Sequence, residues 1–306
     1  MLFRSVLVCF LTLISIATVA QTSTGTLDHV RIVVRDIAAA RSNYLNKLGF
    51  ASPVPQPVVY PEGSAHDGAL LDGHQFLEWI SIIDRGKMVK ARPWMVEFAD
   101  KYEGAHSVGL KVESAEAVAA RLKEHQVDAP LFKLVRKEGE TPVLLVTPET
   151  PHLPEGAIFF VQYPPRKKPL EAVVQPNTAE QIQAVWLVVQ NLKAATAEME
   201  QLGFRRTRQL VSTVLGADAV EFASESGSII LLQPMGGVNA ASSQFRRVRT
   251  AGMMGVSIAV KDISAARELL QKNTGRRFET HDGWYGKSLL IPADIANGTW
   301  IELVQR

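Results

Sequence analysis

LDHVRIVVRDIAAARSNYLNKLGF, residues Leu27 to Phe50, decides the fold. Val30, Ile32 and Val34 alternate with His29, Arg31 and Val33, which predicts a strand whose two residue sets point to opposite faces. His29 falls on the face away from the apolar set. Asp36 can accept from the free N–H groups of a first helical turn, and Ile37, Ala40, Tyr44 and Leu48 then recur at helical spacing. Gly49 reads as the helix stop and Phe50 as the start of the next strand.

Three other stretches repeat this unit of strand, cap and helix. Gln183 to Phe204 has Asn191 as its cap and the same Leu-Gly-Phe ending. Gly255 to Leu270 carries DISAAR, nearly a copy of DIAAAR. His106 to Leu122 is a weaker copy with Ser114 as its cap. Each copy is followed by more strand-like sequence. The repeat therefore predicts an α+β chain of four βαβββ modules, paired into two domains.

Residues 1–20 read as a signal peptide. Arg4 precedes an apolar run from Val6 to Ala17, and small residues end at Ala20. This points to a periplasmic or secreted protein. Cys9, the only cysteine, would leave with that segment, so the mature chain would hold no disulfide and no thiolate chemistry. Hydrophobic residues make up 46% and charged residues 21% of the 306, the proportions of a globular protein. A net charge of +2 with no basic tract argues against nucleic acid as a partner. Nothing after the signal is long and apolar enough to span a bilayer. The proline-rich stretch Tyr163 to Thr178 separates the halves. The expected division is thus residues 26–165, a linker at 166–179, and residues 180–306.

Within the first half, Gln75 to Ile82 reads as a strand in which Glu78 interrupts apolar residues. His66 to Leu71 reads as the strand before it, with Asp72-Gly73 as the turn. His66 and His74 look like loop or strand-end residues. Asp84 to Glu103 is a helical connection, and Trp79, Trp94 and Tyr102 either line an apolar pocket or pack in the core. The last strand, Ala157 to Tyr163, carries Gln162 as a polar residue; its counterpart in the second half carries Glu302.

The repeated unit, with strand endings such as FLEWIS and TWIELVQ, resembles the vicinal oxygen chelate superfamily, which includes glyoxalases and extradiol dioxygenases. The first half looks most like its glyoxalase-like branch. The resemblance implies paired modules whose sheets enclose a cleft, with a divalent metal held from the first and last strands of each module. Carried over residue by residue, it places His29, Glu78, His106 and Gln162 in the metal set, and Glu78 doubles as the catalytic base. Counting seven residues back from Ser114 gives Ser107 rather than His106, so either residue can occupy the third position. The equivalent positions of the second half are Ala184, Ile230, Gly255 and Glu302. Three of these cannot bind a metal through a side chain, so the resemblance implies that this half has lost the site.

Imidazole and carboxylate donors suit Zn, Ni, Mn or Fe. The resemblance thus implies a metal-dependent lyase or isomerase acting on a small oxygenated molecule. A glutathione-linked glyoxalase fits an exported protein poorly. An extradiol dioxygenase would lack the carboxylate of its iron triad at Gln162. The alternative is a metal-free protein that binds or sequesters a small molecule.

Overall fold

The computed structural model describes residues 24–72, 75–135, 139–165, 173–248 and 252–306. The expected signal segment, Gly73, His74 and residues 166–172 of the expected linker lie outside these. Two mixed sheets of eight strands form the fold. The first contains β1 (Thr26–Val33), β2 (Val58–Val59), β3 (Ser64–Leu70), β4 (Phe76–Ile82), β5 (Gly104–Lys111), β6 (Leu131–Leu134), β7 (Val143–Val146) and β8 (Ile158–Gln162). The second contains β9 (Ala179–Val188), β10 (Arg205–Ser212), β11 (Ala217–Ala223), β12 (Ser228–Pro234), β13 (Gly252–Val260), β14 (Thr280–Gly283), β15 (Gly286–Ile291) and β16 (Trp300–Gln305). Strand order is 2-3-4-1-5-8-7-6 in the first sheet and 10-11-12-9-13-16-15-14 in the second, the same topology twice. These are the four expected βαβββ modules in two halves.

The helices are α1 (Ile37–Ser42), α2 (Arg85–Ala91), α3 (Pro93–Lys101), α4 (Ala115–Glu124), α5 (Leu192–Gln201), α6 (Ala240–Val248) and α7 (Ile263–Thr274). Asp36, Ser114, Asn191 and Asp262 each cap the helix that follows, their side chains accepting from backbone N–H groups of the first turn. Asp36 takes two such bonds, from Ala38 and Ala39. We expect Asp36→Ala to lower stability by about 1 kcal/mol in urea unfolding. The first helix is shorter than its apolar spacing predicts, passing at Asn43–Lys47 into a π-helical turn. Gly49 ends the unit with φ +71°, as a helix stop requires.

Period two sorts each central strand. Val30, Ile32, Leu77, Trp79, Val108, Leu110, Ile158 and Phe160 face the helices. The other face of the first sheet carries His29, Arg31, Phe76, Glu78, Phe159 and Val161. Helices α2 and α3 cover part of this inner face, packing Met88, Met95 and Val96 on Val33 and Ile80. This matches the helical connection expected at 84–103. Strands β6, β10, β14 and β15 and helix α6 carry weak apolar patterns and escaped the sequence reading.

The helix-side residues of both sheets belong to one continuous core, from Leu27 to Leu303. Phe160 stacks on Phe204 across the halves. Tyr44 donates to the carbonyl of Ala296, and Asn43 to that of Ile295. Arg247 donates to the carbonyls of Gly298 and Glu103, where the backbones of Gly104 and Gly298 meet. Among the described residues no helix is long and apolar enough to cross a membrane.

Candidate functional site

Strand register decides which side chains meet on the inner face. β1 and β4 run parallel with Arg31 opposite Glu78 and His29 opposite Phe76. β1 and β5 run antiparallel with His29 opposite Gly109 and Arg31 opposite Ser107. Gly109 is required there by space. A Cβ on it would lie 2.6 Å from His29 Cε1, so the imidazole lies across the glycine. Phe76 stacks on one side of that ring at 4.6 Å, and Phe159 meets it edge-on at 5.2 Å. His29 is 2% exposed.

His29 Nδ1 lies 2.6 Å from Asp28 Oδ2, which also accepts from the Tyr163 hydroxyl at 2.7 Å. In a neutral ring that donates from Nδ1 to Asp28, the lone pair falls on Nε2. That nitrogen is buried and makes no hydrogen bond among the described residues; Glu78 Oε2 lies 3.7 Å away. Arg31 Nε approaches the same oxygen at 3.3 Å, its guanidinium 3.9 Å above the Phe159 ring. Glu78 Oε1 pairs with His66 Nδ1 at 2.9 Å, and His66 Nε2 lies 2.8 Å from Ser64 Oγ. Tyr60 packs against His66.

Burial by itself raises the Glu78 carboxyl, but His66, His29 and Arg31 outweigh it and hold the group well below the usual carboxylate range. Burial lowers the Arg31 guanidinium, against the pull of Glu78. Burial and then the Asp28 carboxylate push the Tyr163 hydroxyl well up.

The structure thus brings His29 and Glu78 together but leaves His106 and Gln162 elsewhere. Gln162 has the parity of Ile158 and Phe160 and faces the helices, where its Oε1 accepts from Ala115 N at the start of α4. In the last strand it is Phe159, Val161 and Tyr163 that face inward. His106 occupies a register shift between β1 and β5, an extra residue between Ala105 and Ser107. The bulge turns its ring onto Trp94, stacked at 4.5 Å, and Phe98, edge-on at 4.8 Å. Burial, then the nearby Arg31, lowers its imidazole to about 3. The seven-residue count from the cap therefore selects Ser107, which lies opposite Arg31 with a buried hydroxyl that makes no hydrogen bond. The same exchange of modules carries Glu78 onto Phe159, because Gly109 pairs with Phe159 as Arg31 pairs with Glu78.

His66 is the site residue that sequence reasoning missed. It sits in β3 two residues from Ser64 and two from Gly68, and Gly68 pairs with Glu78. Completing the β3–β4 hairpin outward from Glu78 would have placed it beside that carboxylate.

A divalent metal has two donors of suitable chemistry here, His29 Nε2 and Glu78 Oε2. Ser107 and Phe159 hold the other two positions, and the Arg31 cation shares the Glu78 oxygen. Among the described residues no group of three His, Cys, Asp or Glu is placed to hold a metal. This donor set does not fit a four-ligand centre. In the second sheet the counterparts are Ala184, Ile230, Gly255 and Glu302, as counting from the caps Asn191 and Asp262 gives, and Ala184 and Ile230 lie in an apolar cluster.

Comparison with known proteins agrees with this architecture. A mutant of 4-hydroxymandelate synthase from Streptomyces coelicolor superposes with a TM-score of 0.68 at 10% identity, covering 93% of each chain. A hypothetical protein from Staphylococcus aureus superposes with a TM-score of 0.58 at 12% identity, covering 92% of this chain and 99% of its own. No curated protein matches the chain. The profile of a family described as a glyoxalase-like domain matches residues 27–203, more than half the chain. With its paired βαβββ modules and its inward-facing first and last strands, the chain belongs to the glyoxalase-like domain family of the vicinal oxygen chelate fold.

Proposed function

We propose that the first half binds a small oxygenated molecule and catalyses proton transfer on it, as a lyase or isomerase that needs no metal. The observation that carries this reading is His29 Nε2, a buried ring nitrogen without a hydrogen bond, backed by Asp28 through Nδ1. An Asp–His pair of this kind suits a general base whose tautomer is fixed by the carboxylate. His29 would take a proton from carbon next to a carbonyl. Arg31 would stabilise the negative oxygen that results, since positive charge in a desolvated site favours the transition state. Glu78 would hold Arg31 in place, and His66 would hold Glu78. Glu78, the expected base, has both oxygens engaged and serves this positioning role instead.

The test is deuterium uptake by hydroxy-ketones and lactones in D2O, followed by NMR, with chelator and with added Zn, Mn, Ni or Fe(II). We expect exchange that chelator leaves unchanged and that His29→Ala lowers by about 10²–10⁴-fold. Exchange seen only with added metal would overturn the metal-free reading. A second reading is sequestration without chemistry, favoured by the saturated Glu78 carboxylate. It predicts saturable binding with no exchange. For the N-terminal segment we propose export, and N-terminal sequencing of the extracytoplasmic protein should begin at Gln21.

A further inference from the structure

The second half keeps one buried carboxyl from the ligand positions of its sheet, and its surroundings suit a different task. Glu302 is 5% exposed on β16 and faces the inner side of the sheet. Its Oε2 accepts from Ser257 Oγ at 2.6 Å, and Ser257 in turn accepts from Trp186 Nε1 at 3.0 Å. The hydroxyls of Ser257 and Ser288 serve Glu302, and no ion pair to it forms among the described residues. Burial raises this carboxyl, against the hydroxyls of Ser257 and Ser288 and the charge of His281.

A cavity of about 110 Å³ opens beside it, lined by Trp186, Trp284, Leu215, His281, Asp282 and Glu302. The two indoles meet edge to face at 6.2 Å. Among the described residues no lysine or arginine lines this space. Gly283 brings the β14–β15 hairpin close, since a Cβ there would lie 2.5 Å from Glu302 Oε1. Indole faces attract cations, most strongly where water is excluded, and cages of aromatic rings bind alkylated ammonium groups. Glu302 pairs with no lysine or arginine among the described residues, so a cation seated here would favour the ionised form that burial opposes.

We propose that the second-half cleft is a binding site for a small alkylammonium ion, seated on Trp186 and Trp284 with its charge toward Glu302. The site is independent of the proton-transfer chemistry of the first half and needs no metal ligands at Ala184, Ile230 or Gly255.

The test uses tetramethylammonium chloride as the probe on the chain from Gln21 onward, with calorimetry and indole fluorescence as readouts. 3,3-Dimethylbutan-1-ol serves as the neutral control of similar shape, and NaCl sets constant ionic strength. We expect saturable binding of the cation, at least tenfold weaker binding of the alcohol, and at least tenfold weaker cation binding in Glu302→Gln. That variant keeps an acceptor for Ser257 and so keeps the local hydrogen bond. Trp284→Leu, on the half-buried rim, should weaken the cation by a similar factor and covers the case in which Glu302→Gln fails to fold. Equal binding of the alcohol, no saturable binding of the cation, or unchanged binding in a folded variant would each overturn the proposal.

Discussion

Glu78→Ala is expected to cost about 3–5 kcal/mol of stability, the range seen when one partner of a buried ion pair is removed. The carboxylate balances Arg31 and also accepts from His66. Removing it leaves a buried guanidinium with no anion in contact and an imidazole without its acceptor. Glu78→Gln should cost less, because one amide oxygen still accepts. Urea unfolding at pH 7 checks both. A cost under 1 kcal/mol for the alanine variant would mean that solvent reaches this network freely. The pH dependence has a definite sign. Glu78 is depressed in the folded chain, so its contribution is complete above its ordinary value of 4.5 and is withdrawn as pH falls below it. His106 is also depressed, to about 3, from an ordinary value of 6.5. Below 6.5 the unfolded chain takes up a proton that the folded chain refuses, so stability begins to fall there and continues to fall toward 3. The unfolding free energy of the wild type in urea should therefore begin to decline below pH 6.5, and His106→Phe should remove that first part of the decline.

Gly298→Val is expected to be nearly as damaging, for a steric reason. Gly298 has φ +78°, and a Cβ on it would run into the carbonyl of Glu103 and the Arg247 guanidinium. A left-handed backbone costs a side-chain-bearing residue about 1–3 kcal/mol, and overpacking adds about 1–3 kcal/mol. The sum is about 2–6 kcal/mol, and it falls where Gly104 of the first half meets the second. Gly139, at φ +79° with no described atom within 4 Å of where a Cβ would lie, isolates the backbone part. Gly139→Ala should cost about 1 kcal/mol. If the two variants prove equal in denaturant unfolding, the contact at Gly298 is not tight in solution.

The architecture was legible because its signals are local. Each of the four modules carries a strand, a capping side chain and an apolar helix within about two dozen residues, and each cap performs as its residue type predicts. His29 and Glu78 were legible for a related reason: period two fixes the face once a strand is recognised. Gln162 was misplaced by the same rule, because the polar residue of the last strand was matched to a ligand position without counting parity from Phe160. A shift of one residue reverses the face. His106 was ambiguous because a bulge, which leaves no mark in composition, inserts it into β5. His66 reads from the sequence as a loop or strand-end residue because its partner is 12 residues away across a hairpin. The inward crossing of His29 over Gly109 depends on an antiparallel pairing 80 residues apart, beyond the reach of any local pattern.

The continuous core shared by the two sheets has a thermodynamic consequence. Elements that bury one another's apolar surface unfold together, so the halves should melt as a single cooperative unit despite the segment between them. A ligand that binds only the folded chain raises its stability by RT ln(1 + [L]/Kd), wherever on the chain it binds. One melting curve therefore reports occupancy of either cleft, and two ligands that bind independently should raise the unfolding free energy additively.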